Sequence, residues 1–268
     1  MMKENLWNNI ILLRQKAPLV HNITNYVVMN NTANALLAIG ASPIMAHAHP
    51  EIKSMVNICQ ALVINIGTLD EYWVDSMKLA AQHANKLQKP WVLDPVGAGA
   101  TVYRDEVLAD LLLLKPTIIR GNASEIMALA KHNTASTKGA DSSAESSEAL
   151  AAAKFLTENY ESVVCISGAT DIIRYKEQEI HLTNGHELMA KITGMGCSAT
   201  AIVAAFSAVT SNIVEAVTSA MALLGVAGEL AAQQSKGPGS LQLNILDKLY
   251  NITEEEFFST LKIEVKRG

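Results

Sequence analysis

Short apolar runs rich in β-branched residues alternate along the chain with longer Ala- and Leu-rich stretches that have helical spacing. This alternation predicts a mostly parallel β-sheet covered by helices on both faces. Five runs are candidate strands, and most of them end in a turn that contains Gly or Asp: 43–46, 61–66, 91–93, 117–120 and 163–167. Because open α/β sheets bind ligands beyond the carboxyl ends of their strands, we expect the chemistry in those turns.

Three further stretches have patterns of their own. Residues 172–175 and 180–183 flank a polar tetrapeptide, which predicts a hairpin at one edge of the sheet. The Ala-rich stretch 198–209 is shorter than the roughly 20 residues that a bilayer span requires, so it predicts a buried helix. Residues 133–147 are the most polar and least periodic. We expect them to form a solvent-exposed loop that is too short for a second domain.

Length and composition narrow the class of protein. With 268 residues, of which 49% are apolar, the chain can bury a large core, and we expect a single domain over residues 1–268. The formal net charge is −5 and no basic run occurs, which argues against nucleic acid and leaves small molecules or further copies of the chain as partners. The three cysteines are widely spaced, and the N-terminus lacks the features of a signal peptide. We therefore expect a cytoplasmic protein with no membrane partner.

The strongest local motif is the glycine-containing run TGMGC at residues 193–197, which leads directly into the Ala-rich helix. Glycines let the backbone approach a ligand closely, and the free N–H groups of a first helical turn favour an anion. The motif is therefore a candidate phosphate site. The alternative is a tight loop that only feeds a close-packed helix, and the motif alone does not separate the two.

Charged residues follow two of the candidate strands. Asp94 begins the run DPVGAGA after residues 91–93, and Arg120 and Glu125 belong to the run RGNASE after 117–119. The two carboxylates suit a hydrated Mg²⁺, and the planar guanidinium suits a phosphate. Structural alternatives exist for both acids, because Asp94 can form a turn or cap a helix and Glu125 can form a capping box with Asn122.

Together these motifs resemble the ribokinase-like superfamily, whose motif set includes Asn-x-x-Glu, Asp-Pro and a late glycine turn before a helix. Four longer strings are similar to the hydroxyethylthiazole kinase family, and the resemblance covers nearly the whole chain: PLVHNITNYVVMN (18–30), DPVGAGAT (94–101), RGNASEI (120–126) and TGMGCSATA (193–201). The resemblance implies a three-layer α/β/α sandwich. It also implies an enzyme that phosphorylates the hydroxyl of 4-methyl-5-(2-hydroxyethyl)thiazole with Mg·ATP, in thiamine biosynthesis or salvage.

Carried over position by position, the resemblance implies roles for individual residues. The implied contacts form three pairs: Met45 and Gly194 for the thiazole, Arg120 and Ser167 for ATP, and Asp94 and Glu125 for Mg²⁺. It places Cys197 next to the reacting hydroxyl. Ser167 departs from the Thr that is frequent in the family, although either hydroxyl can donate to a phosphate or sugar oxygen. Family members are homotrimers with the thiazole site between subunits, which the resemblance implies here too.

The residues themselves leave alternatives to several of these roles. The flexible thioether of Met45 suits a sulfur-containing ring, but plain core packing explains it as well. Asn25 is a candidate substrate contact or, equally, a cap of the following helix. His47 and His49 lack further metal ligands of matching spacing, so we expect a loop there. A helix start can lower the pKa of the Cys197 thiol, so that a thiolate accepts the alcohol's proton; the alternative is a small buried thiol that serves only in packing.

Three rival functions stay open at this stage. Kinases of hydroxymethylpyrimidine or pyridoxal, and dehydratases of nicotinamide hydrates, share the glycine turn but usually have Asp where this chain has Cys197. The non-enzyme alternative is a ligand-binding regulator or a purely structural trimer. The joint presence of Asp94, Glu125 and the anion-binding turn argues against it.

Overall fold

The computed structural model describes residues 2–131 and 142–267, and the strands within those ranges form one nine-stranded sheet of order β2-β1-β3-β4-β5-β6-β7-β8-β9. Six strands are parallel: β1 (Leu19–Ile23), β2 (Ser42–Ile44), β3 (Ala61–Asn65), β4 (Trp91–Asp94), β5 (Ile118–Asn122) and β6 (Val163–Ser167). Three antiparallel strands extend the β6 edge: β7 (Asp171–Tyr175), β8 (Gln178–Leu182) and β9 (Ile263–Arg267).

Helices cover both faces of this sheet. One face carries α1 (Met2–Lys16), α2 (Met29–Ile39), α8 (Met195–Ser207), α9 (Ile213–Ala232), α10 (Pro238–Asn251) and α11 (Glu254–Thr260). The other carries α3 (Ile52–Ile58), α4 (Glu71–Lys86), α5 (Val102–Leu113), α6 (Ala123–Lys131) and α7 (Ser142–Tyr160). The predicted three-layer α/β/α sandwich with a mostly parallel sheet is confirmed.

The parallel strands supply both cores at once. In β3, Val63 packs into the core beneath α8 and α9, whereas Leu62 and Ile64 pack into the core beneath α4 and α5. Successive side chains of a strand point to opposite faces, so a strand with helices on both sides must be apolar at nearly every position. This is why the parallel strands appear in the sequence as continuous apolar runs.

Most predicted elements are present, with three differences. The hairpin is confirmed as β7 and β8, and the strand expected at residues 43–46 is the shorter β2. Strands β1 and β9 were not predicted. Strand β1 was missed because its run LVHNI carries two buried polar residues, His21 and Asn22. Of the loop expected at 133–147, residues 133–141 lie outside the described part of the chain, and α7 already begins at Ser142.

Two apolar helices lie against each other in the core. Helix α8 confirms the buried helix predicted for the Ala-rich stretch, since its residues from Ser198 to Ser207 are all buried. Helix α9, with 20 residues, is long and apolar enough to cross a membrane by length and composition alone. However, 78% of its most apolar window is buried inside the protein. It is therefore a helix of the protein interior in this structure.

The sheet brings four polar strand ends to one edge. Asn65 at the end of β3 lies opposite Asp94 at the end of β4, and Asn122 at the end of β5 lies opposite Ser167 at the end of β6. Because the strands are parallel, all four side chains stand at the same edge of the sheet. Helix α8, which contacts β1, β3 and β4, begins at this edge as well.

Candidate active site

Asp94 is the buried carboxylate at the centre of the site, with 1% of its surface exposed. Its Oδ2 atom accepts hydrogen bonds from Nδ2 of Asn65 at 2.7 Å and from Oγ1 of Thr200 at 2.8 Å. Burial raises the pKa of Asp94 to about 6, although the charge of Arg120 and the two hydrogen bonds oppose that rise. The site therefore holds a carboxylate that is ionised at neutral pH but can gain a proton under mildly acidic conditions.

Glu125 joins the turn after β4 to the start of α6. Its Oε1 accepts from the backbone N–H of Gly97 at 3.0 Å, and its Oε2 accepts from that of Asn122 at 2.9 Å. In return, Oδ1 of Asn122 accepts from the N–H of Glu125 at 2.9 Å. This reciprocal pair is the capping box that the sequence offered as a structural role for Glu125. The negative charge of Glu125 also contributes to the raised pKa of Asp94.

The two carboxylates fit a hydrated cation better than a directly ligated one. Within residues 2–131 and 142–267, no three His, Cys, Asp or Glu side chains form a group suited to hold a metal ion. Mg²⁺ commonly keeps several waters and takes one or two carboxylates together with substrate phosphates. Asp94 and Glu125, both at the carboxyl edge of the sheet, match that donor set.

The two histidines of the AHAHP run pack against aromatic rings. Between ring centroids, His47 lies 4.5 Å from Trp73 and His49 lies 6.1 Å from Tyr72, whose hydroxyl also accepts from the backbone N–H of His49 at 2.7 Å. The expected loop is present at His47, whereas His49 begins a short 3₁₀ helix, His49–Glu51. Aromatic packing explains both side chains.

Arg120 and Ser167 stand side by side in the lining of a cleft. Nη2 of Arg120 donates to Oγ of Ser167 at 2.5 Å, and that hydroxyl donates to the carbonyl of Gly121 at 3.2 Å. Arg120 is 8% exposed. A Cβ atom at position 196 would lie 2.7 Å from Nη1 of Arg120, so only glycine lets the turn approach the guanidinium this closely.

The cleft has a volume of about 560 Å³ and is lined by both polar and apolar side chains. Arg120, Ser167 and Asp171 are among the polar residues, and burial raises the pKa of Asp171 to about 6. The apolar lining consists mainly of sulfur-containing and aliphatic side chains: Met189, Met195, Ala199, Met221 and Leu224. Such a cleft fits a molecule that carries both an anionic and an apolar group.

Gly194 caps the N-terminus of α8 in a left-handed conformation, with φ of +78°. A Cβ atom there would lie 2.6 Å from Cγ1 of Val28, so both the backbone angle and the contact require glycine. The first turn of α8 follows at once, and Gly196 within it lines the cleft together with Arg120. Free N–H groups, the helix dipole and a guanidinium thus converge on one place, which can bind a phosphate.

Cys197 lies in the first turn of α8, where Nδ2 of Asn25 donates to its Sγ at 3.5 Å. Burial, followed by the negative charge of Asp94, raises the pKa of this thiol to about 11. The expected lowering of the pKa by the helix start is therefore wrong in direction, because desolvation of the thiolate outweighs the helix dipole. Cys197 is a neutral thiol at neutral pH.

Asn25 belongs to this group of residues and does not cap the next helix. Its Oδ1 accepts from the backbone N–H of Val27 at 3.1 Å, and its Nδ2 donates to Oδ1 of Asn65 at 2.8 Å. Helix α2 has Val28 as its N-cap, without a side-chain cap. The structural alternative for Asn25 is therefore wrong, and the side chain faces Cys197.

Met45 is placed apart from Arg120 and Ser167. It follows β2 at the edge of the sheet, separated from β5 and β6 by β1, β3 and β4. Nε2 of the buried His21 contacts the carbonyl of Ala46 at 2.7 Å and so holds the backbone beside Met45. The half-buried Met45 side chain stands at one flank of the strand edge, and Arg120 and Ser167 stand at the other.

Two side chains of this edge, besides Thr200, escaped the sequence analysis. Asn65 ends β3 in the position where Asp94 ends β4, so the rule that favours strand ends would have found it had amides been considered with acids. Arg104 donates from its guanidinium to the carbonyls of Ile66 and Val96, and thereby ties the turns after β3 and β4 together. No spacing in the sequence signals that contact.

Comparison with known proteins agrees with this geometry. The family model for the hydroxyethylthiazole kinase family matches residues 10–255. Hydroxyethylthiazole kinase of Syntrophus aciditrophicus is 53% identical over 261 residues, which cover 97% of both chains. Among solved structures, that of hydroxyethylthiazole kinase from Pyrococcus horikoshii matches with a TM-score of 0.90 and 40% identity over 98% of this chain and 99% of that one.

A more distant structure shares the fold alone. Pyridoxal kinase from Staphylococcus aureus in complex with ADP has a TM-score of 0.65 at 15% identity and covers 94% of this chain and 99% of its own. The sandwich is thus the ribokinase-like architecture expected from the motifs. Because the family model and the relatives span nearly the full length, the chain belongs to the hydroxyethylthiazole kinase family.

Proposed function

We propose that this chain transfers a phosphoryl group from ATP to the hydroxyl of 4-methyl-5-(2-hydroxyethyl)thiazole, which yields the phosphate monoester and ADP for thiamine biosynthesis or salvage. The observation that carries the proposal is that Arg120 and the first turn of α8, which both line the cleft, stand beside the buried carboxylate of Asp94. We place the reaction in the cytoplasm and in one domain that spans residues 1–268.

The nucleotide occupies the cleft in this proposal. Phosphoryl transfer asks a protein mainly for positioning and for stabilisation of charge on the transferred group. Arg120, already oriented by Ser167, and the backbone N–H groups at Gly194 and Gly196 supply positive charge and donors for the phosphates. The methionines of the apolar lining receive the base of the nucleotide.

Asp94 and Glu125 are the groups that would hold hydrated Mg²⁺ beside the phosphates. When bound, the cation supplies neutralisation of phosphate charge. The chain's own part is to keep both carboxylates oriented, through Asn65 and Thr200 for Asp94 and through two backbone N–H groups for Glu125. Both carboxylates are thus held in fixed positions before any ligand binds.

The thiazole lies between Met45, Asn25 and the Gly194 turn of neighbouring subunits in a homotrimer. Within one chain, Met45 lies far across the strand order from the nucleotide cleft, so a site that uses both is completed by a second subunit. The loop that holds Asn25 continues into Tyr26 and Val27, which are among the large apolar side chains most exposed to solvent. Exposed apolar side chains grouped beside a site are typical of a subunit interface.

A substrate panel tests the reaction. ADP formation is measured for the purified protein with hydroxyethylthiazole, hydroxymethylpyrimidine, pyridoxal and ribose, at equal ATP and Mg²⁺. The proposal expects turnover with hydroxyethylthiazole to exceed that with each other alcohol. A preference for pyridoxal or hydroxymethylpyrimidine would show that hydroxyethylthiazole is not the substrate. If none of the four alcohols yields ADP, the protein is a binding protein.

A further inference from the structure

Asn65 is a fully buried polar residue of the site, with none of its surface exposed. Its Oδ1 accepts from the backbone N–H of Gly67 at 3.0 Å, and its Nδ2 donates to Oδ2 of Asp94 at 2.7 Å. A backbone N–H can only donate, so the amide has a single orientation, with its oxygen towards Gly67 and its nitrogen towards Asp94. The side chain is thereby fixed without any ambiguity between oxygen and nitrogen.

The same reasoning fixes Asn25. The backbone N–H of Val27 donates to Oδ1 of Asn25 at 3.1 Å, so the Nδ2 group faces the interior of the site. It donates one hydrogen to Oδ1 of Asn65 at 2.8 Å and contacts Sγ of Cys197 at 3.5 Å. The two amides therefore form a series of hydrogen bonds that all run in one direction: Asn25 donates to Asn65, and Asn65 donates to Asp94.

The hydrogen bonds that end at Asp94 determine which of its two carboxylate oxygens is left to bind a ligand. Asn65 and Thr200 both donate to Oδ2, which satisfies that atom and fixes the plane of the carboxylate. Among the residues that the structure describes, Oδ1 has no hydrogen-bond partner. The hydrogen bonds to Oδ2 resist rotation of the carboxylate, because rotation would leave the buried donors of Asn65 and Thr200 unpaired.

We propose that Asn65 is a positioning residue for the phosphoryl transfer. Its amide holds the carboxylate of Asp94 at one end and the amide of Asn25 at the other, and so fixes the phosphate side of the site relative to the group beside Cys197. Asn65 itself contacts neither nucleotide nor alcohol in this role. The inference rests on the proposed function, because that function assigns Asp94 and Asn25 to the two sides of the reaction.

The substitution Asn65→Asp tests this role without a change of shape. It keeps the acceptor for Gly67 and Asn25 but replaces the donor to Asp94 with a second carboxylate oxygen. We expect kcat to fall by about 100-fold with a change in the KM for ATP of no more than about three-fold, since misalignment affects the transition state more than nucleotide binding. The matched control is Asn9→Asp, which removes a buried amide donor to Ser219 between α1 and α9. It should lower the melting temperature without lowering kcat.

A second pair of variants acts on the same oxygen from the opposite side and covers the case in which Asn65→Asp fails to fold. Thr200→Val removes the other donor to Oδ2 of Asp94 and keeps the shape, whereas Thr200→Ser keeps the donor. We expect Thr200→Val to lower kcat and Thr200→Ser to restore most of the loss. A purely structural role would lower the melting temperature in each variant and leave kcat per folded molecule unchanged, and that result overturns the proposal.

Crystal structures of Asn65→Asp, or of Thr200→Val where Asn65→Asp does not fold, provide a readout that does not depend on activity. We expect the carboxylate of Asp94 to rotate in either variant, and the amide of Asn25 to shift in Asn65→Asp. Unchanged Asp94 and Asn25 side chains would refute the positioning role. If the wild-type protein instead forms no ADP with hydroxyethylthiazole, the proposed function fails, while these structures still decide whether Asn65 positions its neighbours.

Discussion

Thr200 of α8 donates its hydroxyl hydrogen to Oδ2 of Asp94 at the end of β4, over a distance of 2.8 Å. The helix whose first turn forms the candidate anion site therefore also holds the buried carboxylate beneath it. Two neutral donors and the charge of Arg120 do not fully offset the loss of water around Asp94, so its pKa stays raised at about 6. Ionisation of Asp94 at neutral pH therefore lowers the free energy of unfolding.

The raised pKa of Asp94 predicts how the stability of the protein depends on pH. The pKa of Asp94 is about 6 in the folded protein and has the ordinary value of 3.8 in the unfolded chain. Between these values the folded protein binds the proton more tightly, so the free energy of unfolding falls as pH rises from 3.8 to about 6 and stays lower above. Asp94→Asn imitates the protonated acid, since its amide oxygen still accepts from Asn65 and Thr200. It should raise the free energy of unfolding at pH 8 by up to about 3 kcal/mol.

Urea denaturation of both proteins at pH 8 and pH 4 checks this expectation. The difference between them should shrink towards zero at pH 4, where Asp94 is protonated in the folded wild-type protein. The residual effect of Asp171, whose pKa is also raised to about 6, is present in both proteins and cancels. Equal free energies of unfolding for the wild type and Asp94→Asn at pH 8 would show that ionised Asp94 does not destabilise the protein.

The same substitution should have the opposite effect on catalysis. Asp94→Asn and Glu125→Gln each remove a negative charge without opening a cavity, and we expect each to lower turnover by about 100-fold or more. A rise in Mg²⁺ concentration should rescue part of the loss. Glu125→Gln should also destabilise the protein by about 1 kcal/mol, because it weakens the capping box with Asn122. Wild-type turnover at limiting Mg²⁺ would exclude the affected carboxylate from the metal site.

The sequence predicted the architecture and the strand ends far better than the electrostatics. Apolar runs and helical spacing located five of the six parallel strands, because a strand buried on both faces has few polar residues. Strand β1 escaped, since its buried His21 and Asn22 satisfy part of their hydrogen-bonding capacity with carbonyls near β2, a contact that no local pattern shows.

The pKa of Cys197 and the role of Asn65 could not be predicted for a related reason. A helix start suggests a lowered thiol pKa, but the degree of burial and the nearby charge of Asp94 decide the direction, and both arise from tertiary packing. Asn65 gained its place from the register between β3 and β4. Motif resemblance identified Asp94 and Glu125, whereas their supporting partners became visible only in the folded chain.

Arg120→Lys should weaken nucleotide binding more than thiazole binding. Lysine keeps the positive charge but loses the planar fork that reaches both Ser167 and the cleft, so we expect the KM for ATP to rise by about ten-fold. Steady-state kinetics with each substrate varied in turn provide the measurement. Arg14→Lys is the matched control, because Arg14 binds carbonyls of α10 away from the cleft and its loss should affect stability only. An unchanged KM for ATP with an altered KM for the thiazole would place Arg120 at the other substrate.

If the protein forms the proposed homotrimer, we expect light scattering to give a mass of three times the chain's 28.8 kDa. Val27→Glu should dissociate it and abolish thiazole-dependent turnover, because a charge would be buried beside Asn25 in the interface. Val27 is 62% exposed in the isolated chain, and Leu243 on α10 is 67% exposed, so Leu243→Glu is a control of similar exposure and chemistry. A fully active monomer would remove both the trimer and the shared site.

Cys197 provides the last prediction, because the neutral thiol limits what it can do. With a pKa of about 11 it is protonated at neutral pH, so a thiolate base is a minor species there. The loose transition state of phosphoryl transfer needs little proton removal early on, and alignment and charge stabilisation provide most of the rate. Cys197→Ala should therefore be impaired by about ten-fold yet remain measurably active.

Cys197→Asp separates a catalytic role from simple packing. A carboxylate accepts a proton at neutral pH more readily than this thiol does, so the variant should keep or exceed wild-type activity. It should also unfold at a lower temperature than the wild type, since a second acid is buried near Asp94. If Cys197 only fills space in the core at the start of α8, then Cys197→Ser and Cys197→Ala would have nearly wild-type kinetics and Cys197→Asp would lose both stability and turnover. Melting temperature measured beside kcat for all three variants decides between these outcomes, and a Cys197→Asp protein that loses both would exclude a catalytic role.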